Sequence, residues 1–172
     1  MLDPFWIMPR VGVGIWLLAA RRYDEAIDRL LQAQEMEPRL FVSSLFLGDA
    51  CRFTGHFAEA HAAYQRVLDL IGCQPIILGR LGALHAAQNR PEAALKIVEE
   101  LRVLAEKRHV LPSIVAGIYL ALDDHDRAFL WLEKAYEERD TTLTLLGSWP
   151  AYDPVRSDPR FRQLLERVGL DE

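Results

Sequence analysis

Tyr23-Asp24-Glu25-Ala26-Ile27, continuing through Leu30 and Ala33 to Pro38, is a stretch whose pattern returns along the chain. Ala60, in Gly55-His56-Phe57-Ala58-Glu59-Ala60, stands 34 residues after Ala26, and two further steps of 34 reach Ala94 and Ala128. The same step links Gly14, Gly48, Gly82 and Ala116. It also links Leu30, Tyr64, Val98 and Leu132, and again Ala33, Val67, Leu101 and Ala135. Small residues recur where two helices must approach closely, and large ones recur where a gap must be filled. Equal steps without an insertion indicate one supersecondary unit used four times.

Each unit reads as two antiparallel helices, A and B. The repeats cover 7–40, 41–74, 75–108 and 109–140, after a lead-in of residues 1–6. In the first, helix A is expected over 9–20 and helix B over 23–37, ended by Pro38, which lacks an N–H and disfavours a helical predecessor. Thr54-Gly55-His56 is the turn inside the second repeat, and Gly72-Cys73-Gln74-Pro75 leads out of it. Pro91 suits the first turn of the third helix B, expected to run to about residue 107. The fourth repeat has a short helix A, 112–122, and a regular helix B, 126–138. Residues 141–172 are expected to leave the 34-residue step and form a cap. It comprises a short helix over 141–147, a turn-rich connector, and a last helix that Asp158 caps, Pro159 starts and Gly169 ends. Phe161, Leu164, Leu165 and Val168 give that helix one apolar face.

The period, the small Gly/Ala positions, the aromatics and the closing proline resemble tetratricopeptide (TPR) repeats. The resemblance implies an all-α fold: a right-handed superhelix of four helix-turn-helix repeats with a C-terminal capping helix. A narrower resemblance covers Leu2-Asp3-Pro4, the stretch from Ala20 to Ile27, Leu132 to Asp140, and Asp153-Pro154-Val155-Arg156-Ser157-Asp158-Pro159-Arg160-Phe161. These look like the C-terminal TPR regions of bacterial winged-helix regulators, nucleotide cyclases and Ser/Thr kinases. Two functions are implied. One is a non-catalytic scaffold that binds a protein, peptide or helix in the concave groove. The other is a sensory or regulatory domain of a larger signalling protein, controlled by a small ligand or partner.

By TPR geometry, helix A lines the groove. The partner-binding residues expected there are Leu45, Asp49, Arg52 and Phe53, then Ala83, Ala86 and Ala87, then Gly117 and Leu120. Val11, Leu18 and Ser113 hold equivalent positions. Most are small or apolar, so the groove suits an apolar peptide, with Arg52 and Asp49 orienting it. The Lys/Asn set with which some TPRs hold a C-terminal carboxylate is absent.

Other chemistry finds little footing. The net charge of −5 and the lack of a basic cluster longer than Arg21-Arg22 or Lys107-Arg108-His109 argue against direct nucleic-acid binding. No serine lies in a G-x-S-x-G context, no H-E-x-x-H occurs, and adjacent pairs such as Glu99-Glu100 fall on different azimuths, so no catalytic residue is assigned. His56, His61, His85, His109 and His125 lack partners at zinc-ligand spacing, so neither metal nor cofactor is expected. Cys51 and Cys73 form no C-x-x-C pair and suit a reducing cytoplasm. Residues 5–20 are apolar, but Pro9 and Arg10 interrupt them, and no membrane span is expected. Trp16 and Trp131 are expected to pack between repeats, and Trp149, Pro150 and Tyr152 to bury against the fourth. Phe5, Trp6, Ile7 and Met8 have no cap. They point to a preceding repeat or domain, with folding back over the first repeat as the alternative, and this apolar end offers a surface for self-association.

Overall fold

A computed structural model describes residues 7–170, with side chains from residue 9 onward. All the regular structure described is helical. Helices α1 (Ile7–Ala19), α2 (Tyr23–Met36), α3 (Phe41–Phe53) and α4 (Phe57–Ile71) are followed by α5 (Pro75–Ala87), α6 (Pro91–Ala105), α7 (Pro112–Ala121) and α8 (His125–Glu137). Two 3₁₀ helices, Thr141–Leu145 and Pro150–Val155, precede α9 (Pro159–Val168). The chain divides into two compact units, one ending at Ile77 and the other beginning at Leu78. In the first unit, α1 pairs with α2, α2 with α3, and α3 with α4. In the second, α7 pairs with α8 and also meets the second 3₁₀ helix, while α9 lies against α8.

The 34-residue step is a repeat of backbone geometry as well as of residue type. Arg21, Gly55, Asn89 and Asp123 all adopt left-handed conformations, with φ of 61°, 79°, 57° and 59°. Each closes a helix A in the same way. Arg22 N–H donates to Leu17 C=O at 2.9 Å, His56 to Cys51 at 2.9 Å, Arg90 to His85 at 2.9 Å, and Asp124 to Tyr119 at 3.0 Å. This six-to-one bond is the helix stop that needs one left-handed residue, a role for which Gly, Asn and Asp are suited. Arg21 is the exception, since its Cβ crowds the next carbonyl there. Arg21→Gly should therefore raise the unfolding free energy by about 0.5–1 kcal/mol. Urea denaturation would read this, and an unchanged or lower midpoint would refute the strain.

Close packing explains the small positions. A Cβ added at Gly14 would lie 2.7 Å from Leu30 Cγ, and one at Gly48 would lie 2.6 Å from Tyr64 Cδ1. Leu30 and Tyr64 are both 0% exposed. In the third repeat the register differs slightly: a Cβ added at Gly82 would lie 3.3 Å from Ile97 Cγ2 and 2.6 Å from Ile118 Cδ1. The fourth repeat has Ala116 and Leu132 at these positions, each fully buried. Glycine is thus needed where the opposing side chain reaches the helix backbone.

The tail keeps the step, contrary to the expectation from sequence. Helix B begins at Tyr23, Phe57, Pro91, His125 and then Pro159, each 34 residues after the last. Only the fifth helix A is missing, replaced by the two 3₁₀ helices. Arg160 pairs with Asp126 at 2.7 Å and Arg167 with Glu133 at 2.9 Å, again at separations of 34, so α9 runs parallel to α8. Their guanidinium groups also lie over Phe129 and Tyr136, at 4.2 and 4.1 Å. These exposed pairs contribute little. Burial of Phe161 (0% exposed) and Leu164 (1%) holds the helix in place. Asp158 accepts from Arg160 N–H and Gly169 closes α9 at φ 79°, as expected.

Pro150 and Tyr152 are buried and Trp149 is half-buried. Trp131 is also half-buried. Trp16 is not between repeats: it is 75% exposed. The side chains of Phe5, Trp6, Ile7 and Met8 lie outside the described residues.

Candidate functional site

The residues expected to line a groove separate into scaffold and surface. Leu45 is 3% exposed and Asp49 1%, both inside the first unit. Tyr64 Oη donates to Asp49 Oδ1 at 2.7 Å, so this carboxylate ties α4 to α3 in place of orienting a partner. The cause is local. Gly48 lets the Tyr64 ring lie against α3, which brings the hydroxyl to the next residue along. Val11 and Leu18 are likewise fully buried.

What remains at the surface of the first unit is an aromatic and cationic stack. Arg52 and Phe53, in the last turn of α3, are half-buried, as is Tyr23 at the start of α2. The Arg52 guanidinium lies 4.2 Å over the Phe53 ring, which stacks on Tyr23 with centroids 5.8 Å apart and planes inclined at 27°. Arg52 Nε is buried and has no hydrogen-bond acceptor among the described residues. The planar guanidinium presents a fork of donors matched to a carboxylate. Sequence reasoning named Arg52 and Phe53 but missed Tyr23, whose signal was its place at the helix start directly after the left-handed turn.

In the second unit, Ala83 (6% exposed) and Leu120 (4%) belong to the core. Ala86 and Gly117 are half-buried and Ala87 is exposed. A Cβ at Gly117 would meet nothing within 4 Å, so no packing demands glycine there. These small residues leave an uncrowded surface without a directed polar group.

Ser113 proves to be part of an internal polar network. Its N–H donates to Asp140 Oδ2 at 3.1 Å, while the Thr142 hydroxyl lies 2.7 Å from both Asp140 Oδ1 and Ser113 Oγ. Thr142 N–H also reaches Asp140 Oδ1, at 2.9 Å. One carboxylate therefore caps two helix starts, those of α7 and the first 3₁₀ helix. Burial pushes the Asp140 carboxyl up, but the hydrogen bonds from Ser113 and Thr142 outweigh it and hold it below its ordinary value. Nothing in the local sequence marks this contact, which spans 27 residues.

Two histidines lie beside local polar groups. His56 Nδ1 lies 2.7 Å from Thr54 Oγ1, and His125 Nε2 lies 3.0 Å from Asp123 Oδ1. Among the described residues no group of three or more His, Cys, Asp or Glu side chains could hold a metal ion. Burial, with Glu59 adding to it, pushes the Cys51 thiol up to about 11, so it stays protonated and unreactive near neutrality. Cys73 is exposed. No helix among the described residues is long and apolar enough to cross a membrane. No family model and no curated protein matches this chain.

Proposed function

We propose that the chain is a TPR-like, non-catalytic interaction scaffold whose hairpins stack in a right-handed superhelix, and that it binds a peptide or helix through the surface bearing Tyr23, Arg52 and Phe53. The Arg52–Phe53–Tyr23 stack carries this reading. It is a half-buried aromatic surface beside a guanidinium. Such a surface suits a segment with an apolar side chain for the rings and a carboxylate for the arginine.

Selection from a displayed random peptide library would test this. Sequences combining an acidic and an apolar residue should be enriched, and their affinity should fall at least about tenfold for Arg52→Ala and for Phe53→Ala. Circular dichroism melting would show whether these variants stay folded. Enrichment of peptides that bind both folded variants as tightly as wild type, or no enrichment at all, would remove the proposed site.

A further inference from the structure

Helix A of one repeat contacts helix A of the next in a particular way in the second unit. The side chains of Ile114 and Ile118 on α7 press onto Gly79 and Gly82 of α5, where added Cβ atoms would collide with them. Val115 and Ile118 on this helix are 2% and 0% exposed. In the first unit the equivalent positions on α3, Leu47 and Ala50, are 7% and 0% exposed. On α1 the equivalents are Val13 and Trp16, and these are 48% and 75% exposed. Pro9, Arg10 and Ala20 are exposed as well. The face that later repeats bury is open on α1, along a stripe of about 17 Å.

Gly12 stands one turn before Trp16, and a Cβ there would meet nothing within 4 Å. An interior helical glycine costs about 1 kcal/mol relative to alanine. Gly14 and Gly48 offset that cost by admitting Leu30 and Tyr64, whereas Gly12 admits nothing within the described residues. A large apolar knob and an empty glycine notch thus sit side by side on one exposed helix face.

We propose that a second copy of the chain covers this face, in a two-fold dimer whose α1 helices pack antiparallel. Trp16 of each protomer seats on the partner's Gly12. The contact extends a type the chain already builds, a large side chain of one helix A against glycine in another. Knob and notch lie four residues apart, so a two-fold axis near Gly14 joins both pairs at once, as a closed isologous interface requires. Charge does not oppose it: α1 has no acidic residue in its first turn and no basic residue in its last, and its single charge is Arg10. In the antiparallel pair the two Arg10 residues lie about 12 Å apart along the helices. This interface is independent of the surface around Arg52.

Sedimentation equilibrium over about 1–200 µM decides the matter. Wild type should approach twice the 19.6 kDa chain mass at the upper end. Trp16→Glu should weaken the dimer at least about a hundredfold, as expected for a central tryptophan. Gly12→Leu, which fills the notch while favouring the helix, should do the same. Trp16→Glu should melt as the wild-type monomer does and Gly12→Leu no lower, because neither site has an internal packing role. A wild-type mass of one chain throughout overturns the dimer. So does a monomer that dimerises only when residues 1–6 are deleted, since the chain's own N-terminal segment would then be the occupant. A dimer that survives either substitution overturns the antiparallel Trp16–Gly12 arrangement.

Discussion

Gly48→Ala should lower the stability of the chain by about 3 kcal/mol, far more than one methyl group ordinarily costs. The added Cβ would lie 2.6 Å from Tyr64 Cδ1 and 2.9 Å from Cζ, well inside contact distance. The ring has nowhere to retreat, being 0% exposed and tied through its hydroxyl to Asp49 at 2.7 Å. Moving it breaks a buried bond to a carboxylate, worth about 1.5–3 kcal/mol, in addition to the strain of overpacking. The better helix propensity of alanine returns only about 1 kcal/mol. Gly117→Ala is the control, since its Cβ would meet nothing within 4 Å and only the propensity gain remains. The fourth repeat suggests a rescue, because Ala116 and Leu132 fill the same two positions and are both fully buried. Gly48→Ala combined with Tyr64→Leu should recover part of the loss. Urea denaturation of the three variants measures all of this, and a single Gly48→Ala variant as stable as wild type would refute the packing account.

Asp140→Ala should cost a similar amount, about 3 kcal/mol at pH 7, by stripping the acceptor from two helix starts. The carboxylate is 5% exposed, so water cannot replace it for Ser113 N–H and Thr142 N–H. The loss should depend on pH. The carboxyl is held below its ordinary value in the folded protein, so the folded state binds this proton less readily than the unfolded chain. Its stabilisation is complete above the unfolded value of about 4 and disappears as pH falls below that. The difference between wild type and Asp140→Ala should accordingly shrink between pH 7 and about pH 2.5. Denaturation at the two pH values checks the sign. A difference below about 1 kcal/mol at pH 7, or one that is unchanged in acid, would show that Asp140 does not act as the double cap.

The hairpins were legible because the information that forms them is local and recurs. Ala26, Ala60, Ala94 and Ala128 mark one phase of helix B, and the proline and glycine breaks mark its ends. Helix ends shifted by a residue or two, as capping allows. The last helix was read correctly from Asp158, Pro159 and Gly169. Its place on the 34-residue step was missed, because its side-chain pattern differs from the other B helices even though its starting point does not.

The site was less legible. Groove positions taken from family geometry mixed side chains that face solvent with others that face the neighbouring helix. Asp49 reads as a polar groove residue until Tyr64 is seen to lie over Gly48, and Ser113 reads so until Asp140 arrives from 27 residues away. By itself the sequence determined that the chain is helical and where its helices turn, since each depends on neighbours within one hairpin. Only the tertiary structure decided which polar groups are spent on holding helices together and which apolar ones stay uncovered. Burial and hydrogen-bond partnership are set by elements far apart in the chain, and no local pattern encodes that Trp16 is exposed while Ile118, three steps of 34 further on, is buried.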